Sequence, residues 1–95
     1  MSHAPAQPQA PRDPRLKDGW RAAAAAYRKA YGGGCADEAY KAATAALHAV
    51  VPELSDREAM LETVAAVHYA SVIAPNWLYA LYLSMPRTER FPQRE

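Results

Sequence analysis

Apolar positions between residues 13 and 31 recur at intervals of three and four, the spacing of one face of a helix. Asp13 is placed to cap this helix, and Pro14 suits its first position, where no amide hydrogen is needed. The glycine triplet 32–34 ends the helix. The apolar stripe comprises Leu16, Trp20, Ala23, Ala24, Tyr27 and Tyr31.

The same spacing predicts a second helix over about residues 37–51, which Pro52 ends. Asp37 and Glu38 lie in its first turn, where negative charge favours the helix dipole. Its apolar stripe comprises Tyr40, Ala43, Leu47, Val50 and, at its edge, Leu54.

A third helix is predicted to begin after Ser55, because Ser55 and Glu58 have the spacing of a capping box. This helix is predicted to reach Ala74, where the following Pro75 disfavours helical backbone. Seven side chains fall on one broad face of it: Met60, Leu61, Val64, Val67, His68, Ser71 and Val72.

The stretch from residue 63 to 86 contains no Lys, Arg, Asp or Glu. Pro75 divides it, and a short fourth helix is predicted over about residues 76–85, closed by Pro86. No run alternates polar and apolar residues, so no strand is predicted. The expected fold is all-α, a small helical bundle of three helices plus a short C-terminal fourth helix.

The charge-free stretch is long enough to span a membrane, but a proline in its middle and His68, Ser71 and Ser84 disfavour a span. The segment "NWLYALYL" is apolar almost all the way round, more than one bundle face can bury. We expect Leu78 and Leu81 to be core. The residues expected to bind a partner are Tyr79, Trp77 and Tyr82. In the alternative, this helix runs through the middle of the bundle.

Composition divides the chain into a Pro/Ala/Gln-rich lead-in over residues 1–12, a helical domain over 13–86 and a loose tail over 87–95. The lead-in lacks the apolar segment of a secretory signal. Twenty-two of the 95 residues are alanine, so the core gains little buried area per residue. Self-association as a homodimer, or docking on a partner protein, is therefore expected to add stability.

The net charge of +1 does not favour nucleic-acid binding. The charges are unevenly distributed along the chain. Residues 1–31 carry six basic and two acidic side chains, whereas residues 32–62 carry two basic and six acidic ones. The two segments are expected to attract each other, within one fold or between copies. The single cysteine, Cys35, fits a reducing compartment, which predicts a cytoplasmic protein.

Candidate chemistry is sparse. The glycine triplet lacks the Lys-Ser/Thr of a phosphate-binding loop. His48 and His68 could share a metal only if Cys35 or Glu62 joined them, and their spacing fits no known ligand pattern. Cys35 paired with a histidine would lack identifiable oxyanion donors. The chain is therefore predicted to be no enzyme and to hold no metal and no cofactor.

The predicted function is binding of a protein partner through the aromatic C-terminal helix. Compact, alanine-rich helical chains of this size are common among phage and mobile-element accessory factors that inhibit host protein complexes, anti-CRISPR proteins among them. This expectation comes from size and composition alone. The alternatives are a small stabilising subunit of a larger enzyme complex and a weak nucleic-acid binder. The latter would act through the basic face of the first helix: Arg15, Lys17, Arg21, Arg28 and Lys29.

Overall fold

The protein is a small all-α bundle, as predicted. The computed structural model describes residues 9–83, apart from the side chain of Tyr82. Within this range the three long helices are α1 (Pro14–Tyr31), α2 (Ala36–Val50) and α3 (Asp56–Ile73). Most of the predicted lead-in, the end of the predicted fourth helix and the tail lie in residues 1–8 and 84–95, outside the described residues.

The ends of the long helices follow from local chemistry. The Asp13 side chain accepts a hydrogen bond from the Arg15 amide at 2.8 Å, and Pro14 occupies the first turn of α1. Gly34 at the far end has φ 92°, a conformation that glycine adopts without a steric cost. The capping box of α3 is present, with the Glu58 amide donating to Ser55 Oγ and the Ser55 amide donating to Glu58 Oε1.

The predicted fourth helix is interrupted. Its described part, up to residue 83, consists of two short helices, α4 (Pro75–Leu78) and α5 (Ala80–Leu83), with Tyr79 in a turn between them. Pro75 occupies the first turn of α4, where its missing amide hydrogen has no consequence. The break after α3 therefore falls at Ala74, where it was predicted.

The core is formed mainly by alanine. Helix α1 contacts all the other helices. It runs antiparallel to α2, since Gly19 near the start of α1 lies beside Leu47 near the end of α2. The large side chains in the core are few, notably Leu47 and Leu78, both fully buried. Its alanines are Ala23, Ala24, Ala39, Ala43, Ala59, Ala66 and Ala70. Small side chains let helix axes approach closely, so this core is tight but buries little apolar area.

The seven-residue face of α3 is not its core face. Met60, Leu61, Val64 and Val72 are 44–53% exposed, and only Val67 of the large apolar residues in that set is buried, at 3% exposed. The buried face carries smaller side chains instead: Ala59, Thr63, Ala66 and Ala70, together with Val67. Helix α3 contacts α1 and α2, and small side chains on its buried face allow helices to pack closely.

Candidate functional site

The three residues predicted to bind a partner have different surroundings. Trp77 is 44% exposed. Tyr79 is half-buried and packs against the core, with its ring centroid 5.1 Å from that of Tyr31. The Tyr82 side chain lies outside the described part of the structure. Of the two side chains that are described, Trp77 lies at the surface, and the ring of Tyr79 packs against the core.

Tyr79 belongs to a cluster of tyrosine rings that joins α1, α2 and the C-terminal turn. Tyr27, only 4% exposed, is its centre, with Tyr40 at 5.0 Å and Tyr31 at 5.3 Å between ring centroids. Burial, with the neighbouring tyrosines, raises the pKa of Tyr27 above its usual value. Aromatic pairs contribute about 0.5–1.5 kcal/mol each beyond their buried area, so the cluster is a structural element.

The C-terminal segment is part core and part surface. Leu78 is fully buried, as predicted. Leu81, predicted as core, is 37% exposed, although its Cβ lies close to Gly32 at the end of α1. Leu83 is 52% exposed. Among the described helices, α5 contacts α1 and α4, and these contacts leave both of its leucines partly exposed.

The most extended apolar surface lies on α3. We call Met60, Leu61, Val64, His68 and Val72 the outer face of α3; all five are exposed. From Met60 to Val72 this face extends along the helix for roughly 18 Å at 1.5 Å per residue. It carries no charged side chain. A contiguous apolar surface on a small domain is typical of a binding site.

Sequence reasoning identified these residues as one face but did not predict that they are exposed. The available signal was the opposite side of the same helix, where Ala59, Thr63, Ala66 and Ala70 follow each other at intervals of three and four. Two apolar stripes on one helix, one of small and one of large residues, leave a choice of core face. Local sequence does not reveal which of them meets the neighbouring helices.

A second feature is an apolar groove of about 640 Å³ between α1 and α3. Alanines from both helices form much of its lining, and two charged residues, Lys17 and Arg21, line it on the α1 side. We call it the aromatic groove. Its large side chains are Trp20, Tyr69, Ile73 and Trp77.

Specific contacts hold the tryptophans of this groove. The Trp20 indole donates a hydrogen bond to Glu62 Oε1 at 2.9 Å, and its ring meets Tyr69 edge to face, with 5.6 Å between centroids. Arg28 donates from Nε to the Trp77 carbonyl oxygen at 2.8 Å, and its guanidinium carbon lies 5.2 Å from the centroid of the Trp77 ring. The walls of the groove are therefore fixed by the fold.

A second groove, between α2 and α3, is lined by polar side chains, His48 among them, and also by Ala45, Met60 and Val64. The His48 Nε2–H donates to the Leu54 carbonyl oxygen at 2.8 Å, and Nδ1 lies 3.8 Å from Asp56. His68 lies apart from it on the outer face of α3, and Cys35 is the exposed N-cap of α2. Within residues 9–83, no three His, Cys, Asp or Glu side chains form a cluster that could hold a metal ion.

The opposite charges of the two segments meet inside one fold. Both terminal guanidinium nitrogens of Arg15 donate to the Glu53 carboxylate, one of them at 2.9 Å. This contact raises the pKa of Arg15 and lowers the pKa of Glu53. Arg28 is likewise engaged by Trp77, so part of the basic face of α1 stabilises the domain itself.

None of the helices in the described part of the chain has both the length and the apolar character needed to cross a membrane. Comparison of the chain with protein-family models, with curated proteins and with solved structures gives no significant match. Function is therefore inferred from the surfaces described above.

Proposed function

We propose that this protein is a non-enzymatic binding module that engages a protein partner through the outer face of α3. The observation that carries the proposal is that the small side chains of this helix are buried and the large ones are exposed. Its alanines are buried, while Met60, Leu61, Val64 and Val72 are about half-exposed. Completing their burial would contribute on the order of 1 kcal/mol each, which a partner surface supplies. Trp77, Tyr79 and Tyr82 remain predicted contacts of a partner.

The finer proposal concerns what the partner is. Size and composition favour an accessory factor of a phage or mobile element that inhibits a host protein complex, such as an anti-CRISPR-type inhibitor. The alternative is a small stabilising subunit of a larger enzyme complex, and a second copy of the chain would form a homodimer. The single cysteine keeps a cytoplasmic location as the prediction. Nucleic-acid binding by α1 is less favoured, because Arg15 and Arg28 are engaged within the fold.

The test uses the full chain as bait in its native host. The double variant Leu61→Ser/Val64→Ser removes apolar area from the outer face, and Ala49→Ser, at an exposed position of α2, is the matched control. Proteins that co-purify are quantified by mass spectrometry, and sedimentation measures self-association. We expect a specific partner, or a dimer, that is retained by the control and lost with the double variant.

Circular dichroism must show that both variants stay helical. Partners that bind the folded double variant as well as the wild type would contradict the proposal. The identity of the partner then separates an inhibitor from a stabilising subunit, because a subunit is required for the activity of its complex and an inhibitor lowers that activity.

A further inference from the structure

We propose that the aromatic groove is a separate ligand site, which binds a small amphipathic molecule with an anionic head group and an apolar body, such as a fatty-acid carboxylate. This site lies between α1 and α3, whereas the outer face points away from α1. The inference does not depend on the proposed protein partner, and the two can fail independently.

The shape of the groove suits a small ligand. Its volume of about 640 Å³ falls within the roughly 300–1,000 Å³ that is usual for small-molecule sites. Ala24, Ala66 and Ala70 are buried beneath it, so its floor is smooth and apolar. The lining residues of α1, from Lys17 to Ala25, extend for roughly 12 Å, which matches an elongated apolar body better than a compact one.

The charge of the groove selects the head group. The charged side chains that line it are both cationic, Lys17 and Arg21, one helical turn apart on α1. Lys17 makes no ion pair with any described residue, and Arg21 has only an exposed contact with Asp18 at 3.9 Å. The nearby carboxylate of Glu62 already accepts the Trp20 indole hydrogen bond. A carboxylate at this end would pair with both cations, and its apolar body would extend toward Ile73 and Trp77.

Both tryptophans of the chain line the groove, so intrinsic fluorescence reports its occupancy directly. The test titrates the full-length protein with dodecanoate below its micelle concentration, with dodecanol and dodecyltrimethylammonium as neutral and cationic counterparts. We expect dodecanoate to change the tryptophan emission with saturation, and to bind at least tenfold more tightly than either counterpart. Trp20→Phe and Trp77→Phe then assign the signal to each end.

Charge variants distinguish a specific binding site from nonspecific binding to apolar surface. Lys17→Gln/Arg21→Gln should weaken dodecanoate binding about tenfold or more. The control Lys29→Gln/Arg57→Gln removes the same charge from exposed positions outside the groove and should leave binding unchanged. Ala25→Leu adds bulk at an exposed position of the lining and should reduce binding without affecting the core.

Three results would overturn this inference: no saturable change with dodecanoate, equal binding of dodecanol, or equal weakening by both charge variants. Binding of an acidic amphipathic helical peptide in place of dodecanoate would also overturn it, since the groove would then belong to a protein partner. Leu61→Ser/Val64→Ser should retain dodecanoate binding, so a failure of the outer-face proposal leaves this result intact.

Discussion

The inner face of α3 carries alanines and Thr63 and is buried, whereas its outer face carries Met60, Leu61 and two valines and is half-exposed. If buried apolar area alone decided the packing, the large side chains of α3 would be buried and the alanines exposed. Burial of a leucine side chain contributes about 1.5–3 kcal/mol, and burial of an alanine contributes much less. The buried face is the one whose small side chains allow helix axes to approach closely. Small residues bring α3 close to α1 and α2, and the large residues remain outside.

This arrangement has a cost and a consequence. Rotating α3 to bury its large side chains would move its axis away from α1 and would open the alanine contacts of Ala66 and Ala70. The observed packing keeps those contacts and leaves an apolar surface uncovered. The buried contacts that stabilise the chain and the surface proposed to bind a partner thus lie on opposite sides of one helix, and variants can separate them.

The largest expected effect comes from comparing two leucines that differ in burial. Leu78→Ala should lower the free energy of unfolding by about 2–5 kcal/mol, because Leu78 is fully buried and its truncation leaves a cavity. Leu61→Ala, at a position that is 53% exposed, should cost less than about 1 kcal/mol. Denaturant unfolding of both variants measures the two losses. Equal losses would mean that the outer face is buried in the folded protein.

The second prediction enlarges a small side chain instead of truncating a large one. Ala59→Leu adds volume to the inner face, where the side chain is fully buried and lines neither groove, and should destabilise the fold by about 1–3 kcal/mol through overpacking. Ala49→Leu, at an exposed position of α2, makes the same change and should stay within about 0.5 kcal/mol of the wild type. Thermal unfolding of the pair checks this. A neutral Ala59→Leu would show that α3 does not approach its neighbours closely.

Local signals predicted most of the fold. Asp13, Pro14 and the Ser55–Glu58 pair specify helix ends through contacts within a few residues, so sequence alone places those ends within about one residue. Pro75 likewise marked the break after α3 correctly. The interruption at Tyr79 was not predicted, because no proline or glycine marks it. It coincides with the packing of that ring against Tyr31, a contact over 48 positions in sequence.

The candidate surfaces were harder to predict. Trp77 was identified from its aromatic surroundings, but the groove it helps to line requires Trp20 and Tyr69 from two other helices. The residues of the outer face of α3 were predicted to share one face, but their exposure was not predicted. Helical periodicity shows which residues lie on the same side of a helix, and it does not show which side packs against the core. Both facts depend on tertiary packing.

A smaller effect concerns the capping box, which determines where α3 begins. Ser55→Ala should cost about 1 kcal/mol, because the Glu58 amide loses its side-chain acceptor. Glu58→Ala should cost less, and the two losses should be non-additive, since both side chains serve one turn. Chemical unfolding of the two single variants and the double variant measures this coupling. Additive losses would indicate that Ser55 and Glu58 act independently.

The smallest expected effect is the dependence of stability on acid pH. Hydrogen bonds from Ser55 lower the pKa of Glu58, and Arg15 lowers the pKa of Glu53, below the ordinary glutamate value of 4.5. A carboxylate with a lowered folded pKa stabilises the fold above the unfolded value and loses that contribution as pH falls through the folded one. The pKa of Arg15 is raised, so Arg15 stays protonated throughout the acid range and its own titration causes no loss of stability there.

Thermal unfolding should therefore show no loss from these groups above about pH 5 and a decline below pH 4.5, which Glu58→Gln and Glu53→Gln each reduce. The matched control is Leu61→Ser. The outer face carries no carboxylate, so this variant should shift the whole curve slightly without altering its shape. An unchanged acid decline in the Glu58→Gln/Glu53→Gln double variant would show that other carboxylates govern it. A changed shape in Leu61→Ser would mean that the outer face is electrostatically coupled to the helix start, and the two faces of α3 would then not be separable.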